Sequence, residues 1–330
     1  MKIPGLKTLK LYSRWLRSRF SSHALILGYH RIADVARDPY RYCVTPGNFA
    51  EQLEVLKRKA EVISLAKLVE GIHAGRLPER AVALTFDDGY VDVYQHARAL
   101  LETYMLPATV FVVTGSFGCQ YWWDRLEAAL LAPVTLPGQH ALDIAGAPFE
   151  WRLTEWQESD DRQANNVRDR LLLSIYRKLL NADPGEREKV LLEIESWAGV
   201  GELEKKGRPR AMTGEEAIEL SAGGLIEIGS HTASHFPLTR LLPAEQRHEI
   251  TESKSALENL LGRSVSSFSY PDGAFSREVV SLVQQAGYQC ACISINDIVR
   301  RGSHRFQLPR FWIPDWDGEA FERWLWKWGW

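Results

Sequence analysis

The amino-acid sequence predicts an α/β fold, with a mostly parallel sheet covered by helices as either a barrel or a doubly wound sheet. Two observations predict this fold. Short apolar segments, several of them rich in β-branched residues, alternate along the chain with amphipathic segments of helical period. Residues 118–210 interrupt the alternation with Trp-rich and helical pieces, separated by loops that contain Pro and Gly. We therefore expect an α/β body, residues 24–117 and 211–330, that carries a helical insertion.

Each element follows from its local pattern. Seven apolar runs are predicted strands, at residues 24–29, 81–86, 108–113, 225–228, 267–270, 289–293 and 306–313. Five amphipathic stretches are predicted helices, at 46–60, 91–104, 214–222, 243–261 and 276–286, and the insertion adds helical pieces at 121–131, 167–180 and 186–198. In such folds, active sites collect at the carboxyl ends of the strands. The residues that follow each strand are therefore the candidates for function.

Composition excludes several classes of protein. With 45% hydrophobic and 25% charged residues the chain is neither disordered nor fibrous, and no apolar run approaches the roughly 18 to 20 residues of a membrane span. The net charge is −2, and because residues 1–20 carry six Lys or Arg and no acid, the remainder is more acidic still. Nucleic acid is therefore not an expected partner. The four cysteines form no CxxC pair, so free thiols and a cytoplasmic location are expected.

The first motif is the segment 84–90, Leu-Thr-Phe-Asp-Asp-Gly-Tyr, an apolar strand that ends in Asp87 and Asp88. Consecutive side chains at a strand end diverge, so one carboxylate can bind a cation while its neighbour moves protons. The same residues also suit a plain turn followed by a helix N-cap. The motif alone leaves both interpretations open.

The second motif follows another predicted strand, where Gly229 to His235 spell Gly-Ser-His-Thr-Ala-Ser-His. Two histidines at i and i+4, His231 and His235, share one face of a helical turn and can reach one metal ion. Alone, such a pair more often caps or packs. Two imidazoles with a carboxylate from the same sheet edge, however, predict a catalytic metal site with open positions.

The third segment, 267–273, is Ser-Phe-Ser-Tyr-Pro-Asp-Gly, a strand followed by a Pro/Gly turn. In chain order the three segments resemble the polysaccharide deacetylase family, whose NodB-type homology domain carries TFDDG, H(S/T)xxH and a loop of the RPPYG kind. The resemblance covers residues 25–314 apart from most of the insertion. It implies a distorted (β/α)7 barrel that binds one divalent ion, usually zinc, and hydrolyses the N-acetyl group of an amino sugar.

The resemblance also implies roles for single residues. By position, Asp88, His231 and His235 would hold the ion, for which Zn²⁺ is expected and Co²⁺, Ni²⁺ or Mn²⁺ are alternatives. Asp87 would be the general base. The loop from Tyr270 to Gly273, which includes Asp272, would face the substrate, although Tyr270 and Asp272 stand where the family usually has proline and tyrosine.

Two further positions depart from the family pattern. Ser269 stands where the third motif usually begins with an arginine that orients the base. Arg310, on the last predicted strand, is the candidate replacement and is also an expected substrate-binding residue. Arg310 could equally pair with a structural carboxylate. Near the C-terminus no apolar strand ends in the histidine that the family uses as general acid, but the strand 25–29 is followed by His30. This order resembles a circularly permuted branch of the family from exopolysaccharide biosynthesis, so His30 is the expected general acid, the alternative being a histidine that satisfies backbone groups.

These residues predict a metal-dependent N-deacetylase that acts on an N-acetylated glycan, either a bacterial polysaccharide or its lipid-linked precursor. The tryptophans of the insertion, Trp122, Trp123 and Trp151, are expected to stack on sugar rings. Two other hypotheses stay open: hydrolysis of a non-sugar amide, and a carbohydrate-binding barrel without turnover, for which Ser269 is the argument. The sequence does not predict an oligomeric state.

Both ends of the chain have an unusual composition. Residues 1–23 are basic and amphipathic, and the chain ends in a Trp-rich run, 324–330. Such segments suit the interface of a membrane that contains anionic lipid. We therefore expect peripheral contact with the inner membrane from the cytoplasm, the alternative being that both ends pack on the barrel.

Overall fold

Parallel strands form the centre of the larger of two units into which the chain divides. The computed structural model describes residues 23–131, 139–144, 146–152, 167–199 and 208–329. The first unit comprises the chain up to Ala36, Tyr42–Gly118 and the residues from Ala211 onward, and the second comprises Arg37–Arg41 and Cys119–Arg210. Apart from His23, the predicted N-terminal segment 1–23 lies outside the described residues.

The described residues of the first unit contain eleven strands: β1 (His23–Tyr29), β2 (Arg31–Ile32), β3 (Cys43–Val44), β4 (Glu61–Val62), β5 (Ala81–Phe86), β6 (Ala108–Val112), β9 (Ile226–Ser230), β10 (Ser267–Ser269), β11 (Cys290–Cys292), β12 (Val299–Arg300) and β13 (Phe311–Trp312). Six of them form the parallel main sheet, in the order β11-β10-β9-β6-β5-β1. Three short strands extend it, since β4 pairs with β5, and β12 and β13 pair with β1. A separate two-stranded sheet joins β2 to β3.

Residues 305–313 close the sheet into a distorted barrel. At one edge, Leu308 N–H donates to the Ala291 carbonyl and Ile293 N–H donates to the Leu308 carbonyl, both over 2.9 Å. At the other edge, β13 runs parallel to β1, and Ile313 N–H donates to the Gly28 carbonyl over 3.1 Å. This segment, the barrel seam, was predicted as one strand over 306–313. Because it changes partner halfway, only Phe311–Trp312 is a regular strand. The predicted fold class is confirmed.

Alternate residues of the strands enter two apolar clusters. Leu25, Leu27 and Tyr29 of β1 pack among helix side chains, whereas Ala24 and Ile26 belong to a second cluster with the alternate residues of β5 and β11. Side chains of successive strand residues point to opposite faces of a sheet. The second cluster, which also includes Leu65, Leu68, Val69 and Ile72, therefore marks the other face of the sheet. Continuing its parity along the strands leads to His30, Asp87 and Arg310.

Helices follow most strands, and their starts carry the expected caps. Side chains of Thr45, Ser64, Thr213, Ser276 and Asp317 each accept from the backbone at a helix start. The predicted helix 91–104 contains a π-helical turn, Val93–Ala97, before its α-helical part. The helices are α1 (Pro46–Lys59), α2 (Leu65–His73), α3 (Arg98–Tyr104), α4 (Trp122–Leu131), α5 (Val167–Leu179), α6 (Pro184–Ala198), α7 (Gly214–Ser221), α8 (Pro243–Leu261), α9 (Arg277–Gln285) and α10 (Gly318–Trp326), of which α4, α5 and α6 belong to the second unit.

The second unit has its own apolar core. The helices α4, α5 and α6 lie where helical pieces were predicted, and they share that core with a hairpin of two antiparallel strands, β7 (Gln139–Ile144) and β8 (Ala147–Arg152). The hairpin was not predicted, because its sequence has only one β-branched residue, Ile144. The insertion is therefore not purely helical.

Two further expectations concern the whole chain. All four cysteines are free thiols, as predicted, and three of them are buried. Within the part of the chain that the structure describes, no helix combines the length and the apolar composition that a membrane span needs.

Candidate active site

The two carboxylates of the first motif leave the end of β5 in different directions. Asp87 and Asp88 are both 3% exposed. Asp88 adopts a left-handed backbone conformation with a φ of 67°, and Gly89 follows with a φ of 64°. A Cβ on Gly89 would lie 2.6 Å from a methyl group of Val112, so only glycine fits this turn. The tight turn directs the carboxylate of Asp88 toward the loop after β9.

That loop brings both predicted histidines to Asp88, although not through a helix. Thr232 and His235 have positive φ angles of 67° and 58°, so residues 231–235 form an irregular turn rather than the predicted helical one. Nε2 of His235 lies 3.2 Å from Oδ1 of Asp88, and Nε2 of His231 lies 3.5 Å from the same oxygen. The i, i+4 spacing therefore identified the correct pair of histidines, but the helical turn that it predicted is wrong.

A hydrogen bond fixes the tautomer of His231. Its Nδ1 lies 2.8 Å from the carbonyl oxygen of Ser269. A carbonyl only accepts hydrogen bonds, so Nδ1 carries the proton and Nε2 presents its lone pair toward Asp88. Backbone carbonyls commonly orient metal-binding histidines in this way.

Asp88, His231 and His235 fit a divalent cation. Their ligand atoms all lie within 4.8 Å of one another. Tetrahedral zinc with ligand bonds of about 2.1 Å requires ligand atoms about 3.4 Å apart, close to the separations found between Asp88 and the two histidines. Two neutral nitrogens and one carboxylate also leave positions open for water and substrate.

The electrostatics of the cluster favour added positive charge. Burial acts to raise the pKa of Asp88, but its close contacts with the imidazoles of His231 and His235 outweigh burial and hold that pKa well below its usual range. Burial acts to lower the pKa of His235, but the hydrogen bond to Asp88 and the negative charge of Asp88 outweigh it and raise the pKa. A bound cation would stabilise the negative charge of Asp88 in the same way as a proton on His235 does.

Asp87, the predicted base, is held by the arginine that the barrel seam supplies. Nη1 of Arg310 donates to Oδ1 of Asp87 over 2.6 Å, and Nη2 donates to Oδ2 over 2.7 Å. Ser269 Oγ–H donates to Oδ2 over 3.0 Å and accepts from Arg310 over 2.9 Å. Burial acts to raise the pKa of Asp87, but the charges of Arg310 and then His231 outweigh it and lower the pKa. Arg310 thus replaces the arginine that the family motif usually has at the position of Ser269.

His30 follows β1 and lies between two aromatic rings. Its ring centroid is 4.3 Å from that of Tyr42 and 4.3 Å from that of Trp312, with interplanar angles of 22° and 19°. Burial lowers the pKa of His30, although the charges of Asp88 and Asp87 oppose this shift. Trp312 also contacts Arg310, whose Cζ lies 4.7 Å from the centroid of its ring. A Cβ on Gly28 would lie 2.7 Å from Trp312, so glycine there makes room for this ring.

The sequence reasoning missed Tyr42 and Trp312. A signal existed for Trp312, because it stands two residues after Arg310 and so shares its face of the predicted strand. For Tyr42 there was none, since it lies between two predicted elements and meets His30 only through tertiary folding.

The predicted substrate-binding residues fare differently. Asp272 is exposed in the turn after β10, with a φ of 55°, and its charge acts to raise the pKa of His235, so it lies near the site. The side chain of Tyr270 is fully buried and its hydroxyl donates to the Phe306 carbonyl over 3.1 Å, so it cannot contact a substrate. Arg310 is 0% exposed, and its guanidinium holds Asp87 rather than substrate.

The tryptophans of the second unit do not support the predicted sugar stacking. Trp123 is 4% exposed and stacks on Tyr121 at 4.4 Å, and Trp151 is 2% exposed. Trp122 packs against the same core and stacks on Tyr176. Trp123 and Trp151 are thus buried and Trp122 is partly buried by its core contacts, so the prediction that these rings bind sugar is corrected.

Comparison with known proteins decides the family. A family model described as polysaccharide deacetylase matches residues 74–169 and 197–291, which is more than half of the chain. The chain belongs to the polysaccharide deacetylase family. The matched ranges contain Asp87, Asp88, His231 and His235, but leave out His30 and Arg310. The circular permutation that would make His30 the general acid therefore stays a prediction.

Individual members of the polysaccharide deacetylase family are more distant in sequence. The poly-β-1,6-N-acetyl-D-glucosamine N-deacetylase of Staphylococcus aureus is 30% identical over 108 residues, which span 29% of this chain and 37% of that protein. The match thus covers well under half the length of this relative. Two solved structures share the fold at 17% identity and a TM-score of 0.59, each over 92% of this chain: the Streptococcus pyogenes deacetylase PplD in complex with acetate (98% of its own length covered) and IcaB from Ammonifex degensii (97% covered).

Proposed function

We propose that this protein is a metal-dependent hydrolase that removes N-acetyl groups from an amino sugar of a bacterial polysaccharide or of its lipid-linked precursor. The observation that carries the proposal is the pairing of two adjacent carboxylates with different partners. Asp87 is held by Arg310, and Asp88 is held by the two histidines. One carboxylate is thereby available for proton transfer and the other for metal binding.

Hydrolysis of an amide needs a stronger nucleophile than water and a protonated leaving group. Asp88, His231 and His235 would hold a divalent ion, for which zinc is the expected species, and that ion would supply Lewis acidity toward the acetyl carbonyl and lower the pKa of water. Asp87 accepts the proton of the attacking water, and Arg310 keeps that carboxylate ionised and oriented.

His30 donates a proton to the sugar nitrogen as the C–N bond breaks. The carbonyl carbon gains the oxygen of water, and the products are acetate and a free amino sugar. Tyr42 and Trp312 hold the imidazole plane during this transfer. The residues needed for proton uptake and proton delivery are thus all positioned by protein contacts.

The two alternative functions, a barrel without turnover and hydrolysis of a non-sugar amide, have less support than N-deacetylation of a sugar. A barrel without turnover was suggested only by Ser269, and the guanidinium of Arg310 compensates for the missing arginine. The choice of an amino sugar over another amide rests on family membership and on the substrate of the Staphylococcus aureus relative, poly-β-1,6-N-acetyl-D-glucosamine. The buried tryptophans no longer contribute to that choice.

The membrane contact remains part of the proposal for residues 1–23 only. We propose that this basic segment attaches the protein to the cytoplasmic face of the inner membrane, within reach of a lipid-linked saccharide. The C-terminal aromatics have another role, since Trp324 and Trp328 contact Phe311 and pack on the core of the barrel. Trp326 is exposed, and Trp330 lies outside the described residues.

Acetate release tests the proposal. The full chain is incubated with N-acetylglucosamine oligosaccharides, including the β-1,6-linked polymer and a lipid-linked sugar, with and without a chelator. We expect release that stops on chelation and returns with zinc, and His235→Ala should lose the metal and several orders of magnitude in rate. His248→Ala, an exposed histidine on α8, is the matched control. Unchanged release after complete metal removal, or in His235→Ala, would refute the proposal.

A further inference from the structure

The turn that joins the two candidate metal-binding histidines is held in an unfavourable backbone conformation. Thr232 and His235 both lie in the left-handed region, with φ angles of 67° and 58°. Residues other than glycine rarely adopt this backbone conformation, and it persists only where surrounding contacts enforce it. The distance between the two imidazoles therefore depends on groups outside the ligand set.

The carbonyl side of the turn is held by the loop after β6. Thr114 N–H donates to the Thr232 carbonyl over 3.2 Å, and Gly115 N–H donates to the Ala233 carbonyl over 2.8 Å. A Cβ on Gly115 would lie 2.6 Å from that carbonyl oxygen, so the approach is as close as glycine allows.

The amide side of the turn is held by a single carboxylate, that of Glu249 on α8. Its Oε2 accepts from Ala233 N–H and from Ser234 N–H, both over 2.9 Å, and its Oε1 accepts from Ser234 Oγ–H over 2.7 Å. Hydrogen bonds to an ionised acceptor are about twice as strong as neutral ones. This one side chain therefore binds both amides at the centre of the turn.

The helix that carries Glu249 is itself tied to the strand before the turn. Ser230 Oγ–H at the end of β9 donates to Ser253 Oγ over 2.8 Å, and Ser253 Oγ–H donates to the Ile250 carbonyl over 3.1 Å. All of these hydroxyls are buried. Glu249 thus acts from a support that is fixed relative to His231.

We propose that Glu249 is a positioning residue for the metal site, which holds the turn between His231 and His235 in the conformation that brings both imidazoles to Asp88. It is not a ligand, and its effect on the metal passes through the backbone of Ala233 and Ser234. The inference rests on the proposed function, because it presumes that the three residues bind a divalent ion.

Zinc affinity of the full chain tests the inference without reference to catalysis. The dissociation constant is measured by competition with a chromogenic chelator for wild type, Glu249→Ala, Glu249→Gln and Ser234→Ala. Glu252→Gln, an exposed glutamate on the same helix, is the control. Removing groups that orient metal ligands typically weakens binding by about 10-fold to 100-fold. We expect a loss of about that size for Glu249→Ala, a smaller one for Ser234→Ala, and a change of less than about twofold for Glu252→Gln.

Thermal unfolding of the metal-free variants separates positioning from general stability. We expect Glu249→Gln, which keeps the size of the side chain but not its charge, to unfold near the wild-type temperature while binding zinc at least about fivefold more weakly. Should Glu249→Ala fail to fold, Glu249→Gln and Ser234→Ala carry the test. If wild type binds zinc and these variants bind it equally well, this inference alone is wrong. If wild type binds no divalent ion, both the inference and the proposed function are wrong.

Discussion

Replacing Arg310 with methionine should destabilise the protein through Asp87. The guanidinium makes two short hydrogen bonds to Asp87, and both side chains are shielded from water, with exposed fractions of 0% and 4%. Arg310→Met preserves most of the apolar stem but leaves the carboxylate buried with the hydroxyl of Ser269 and the imidazole of His231. Removing one partner of a buried ion pair typically destabilises a protein by about 3–5 kcal/mol. We expect a loss of that size in the free energy of unfolding at neutral pH.

The pH dependence of this loss follows from the lowered pKa of Asp87. A carboxyl group whose pKa is lower in the folded state stabilises that state above its unfolded pKa, about 3.9, and the stabilisation disappears as the pH falls through the folded pKa. Arg310→Met removes the main cause of the lowering. The difference between wild type and variant should therefore be largest at neutral pH and should shrink in acid.

A double-mutant cycle measures the pair itself. Urea unfolding of metal-free wild type, Arg310→Met, Asp87→Asn and the double variant gives the coupling free energy, which we expect to be about 2–3 kcal/mol. Arg310→Lys keeps the charge but not the two-pronged geometry, so it should recover only part of the stability. Additive single effects, with a coupling below about 0.5 kcal/mol, or a deficit that does not depend on pH, would refute this account of Asp87.

Four further variants test catalysis and location. Asp87→Asn should keep its metal and lose turnover, and His30→Ala should lose about 10² to 10⁴ in rate, whereas near wild-type turnover in His30→Ala would rule out His30 as the acid. Trp312→Leu should lower kcat with little change in KM, because it frees the imidazole of His30 and touches no metal ligand; an unchanged kcat would show that the aromatic contact is not needed. Deleting residues 1–20 should abolish sedimentation with anionic liposomes at low salt, and binding that survives the deletion would disprove the membrane proposal.

Strand parity explains how much of the site could be predicted from the sequence. On β5 and the barrel seam, every second residue belongs to one face, and extending that count past the strand ends leads to Asp87 and Arg310. Parity depends only on local backbone geometry, so a single sequence suffices to count it. The order of motifs then identified the family, and the comparisons confirmed it.

Other features depend on contacts that no local pattern encodes. The turn between His231 and His235 is not helical because Glu249 and the loop after β6 hold it, and these groups lie far apart in sequence. Tyr42 reaches His30 for the same reason. The tryptophans of the insertion were misassigned because a sugar-stacking ring and a core ring look alike in sequence, and only their burial tells them apart.

The barrel seam determines when, during synthesis of the chain, the contacts around Asp87 are completed. Arg310 is separated from Asp87 by 223 positions along the chain and from Ser269 by 41, so the three meet only when residues 305–313 pair with β11 and β1. During synthesis the amino-terminal strands emerge first. On the ribosome, a nascent chain that already displays Asp88, His231 and His235 would still have a base without its arginine. Under the proposed function, a metal ion could therefore bind before the barrel closes, whereas hydrolysis would begin only after closure.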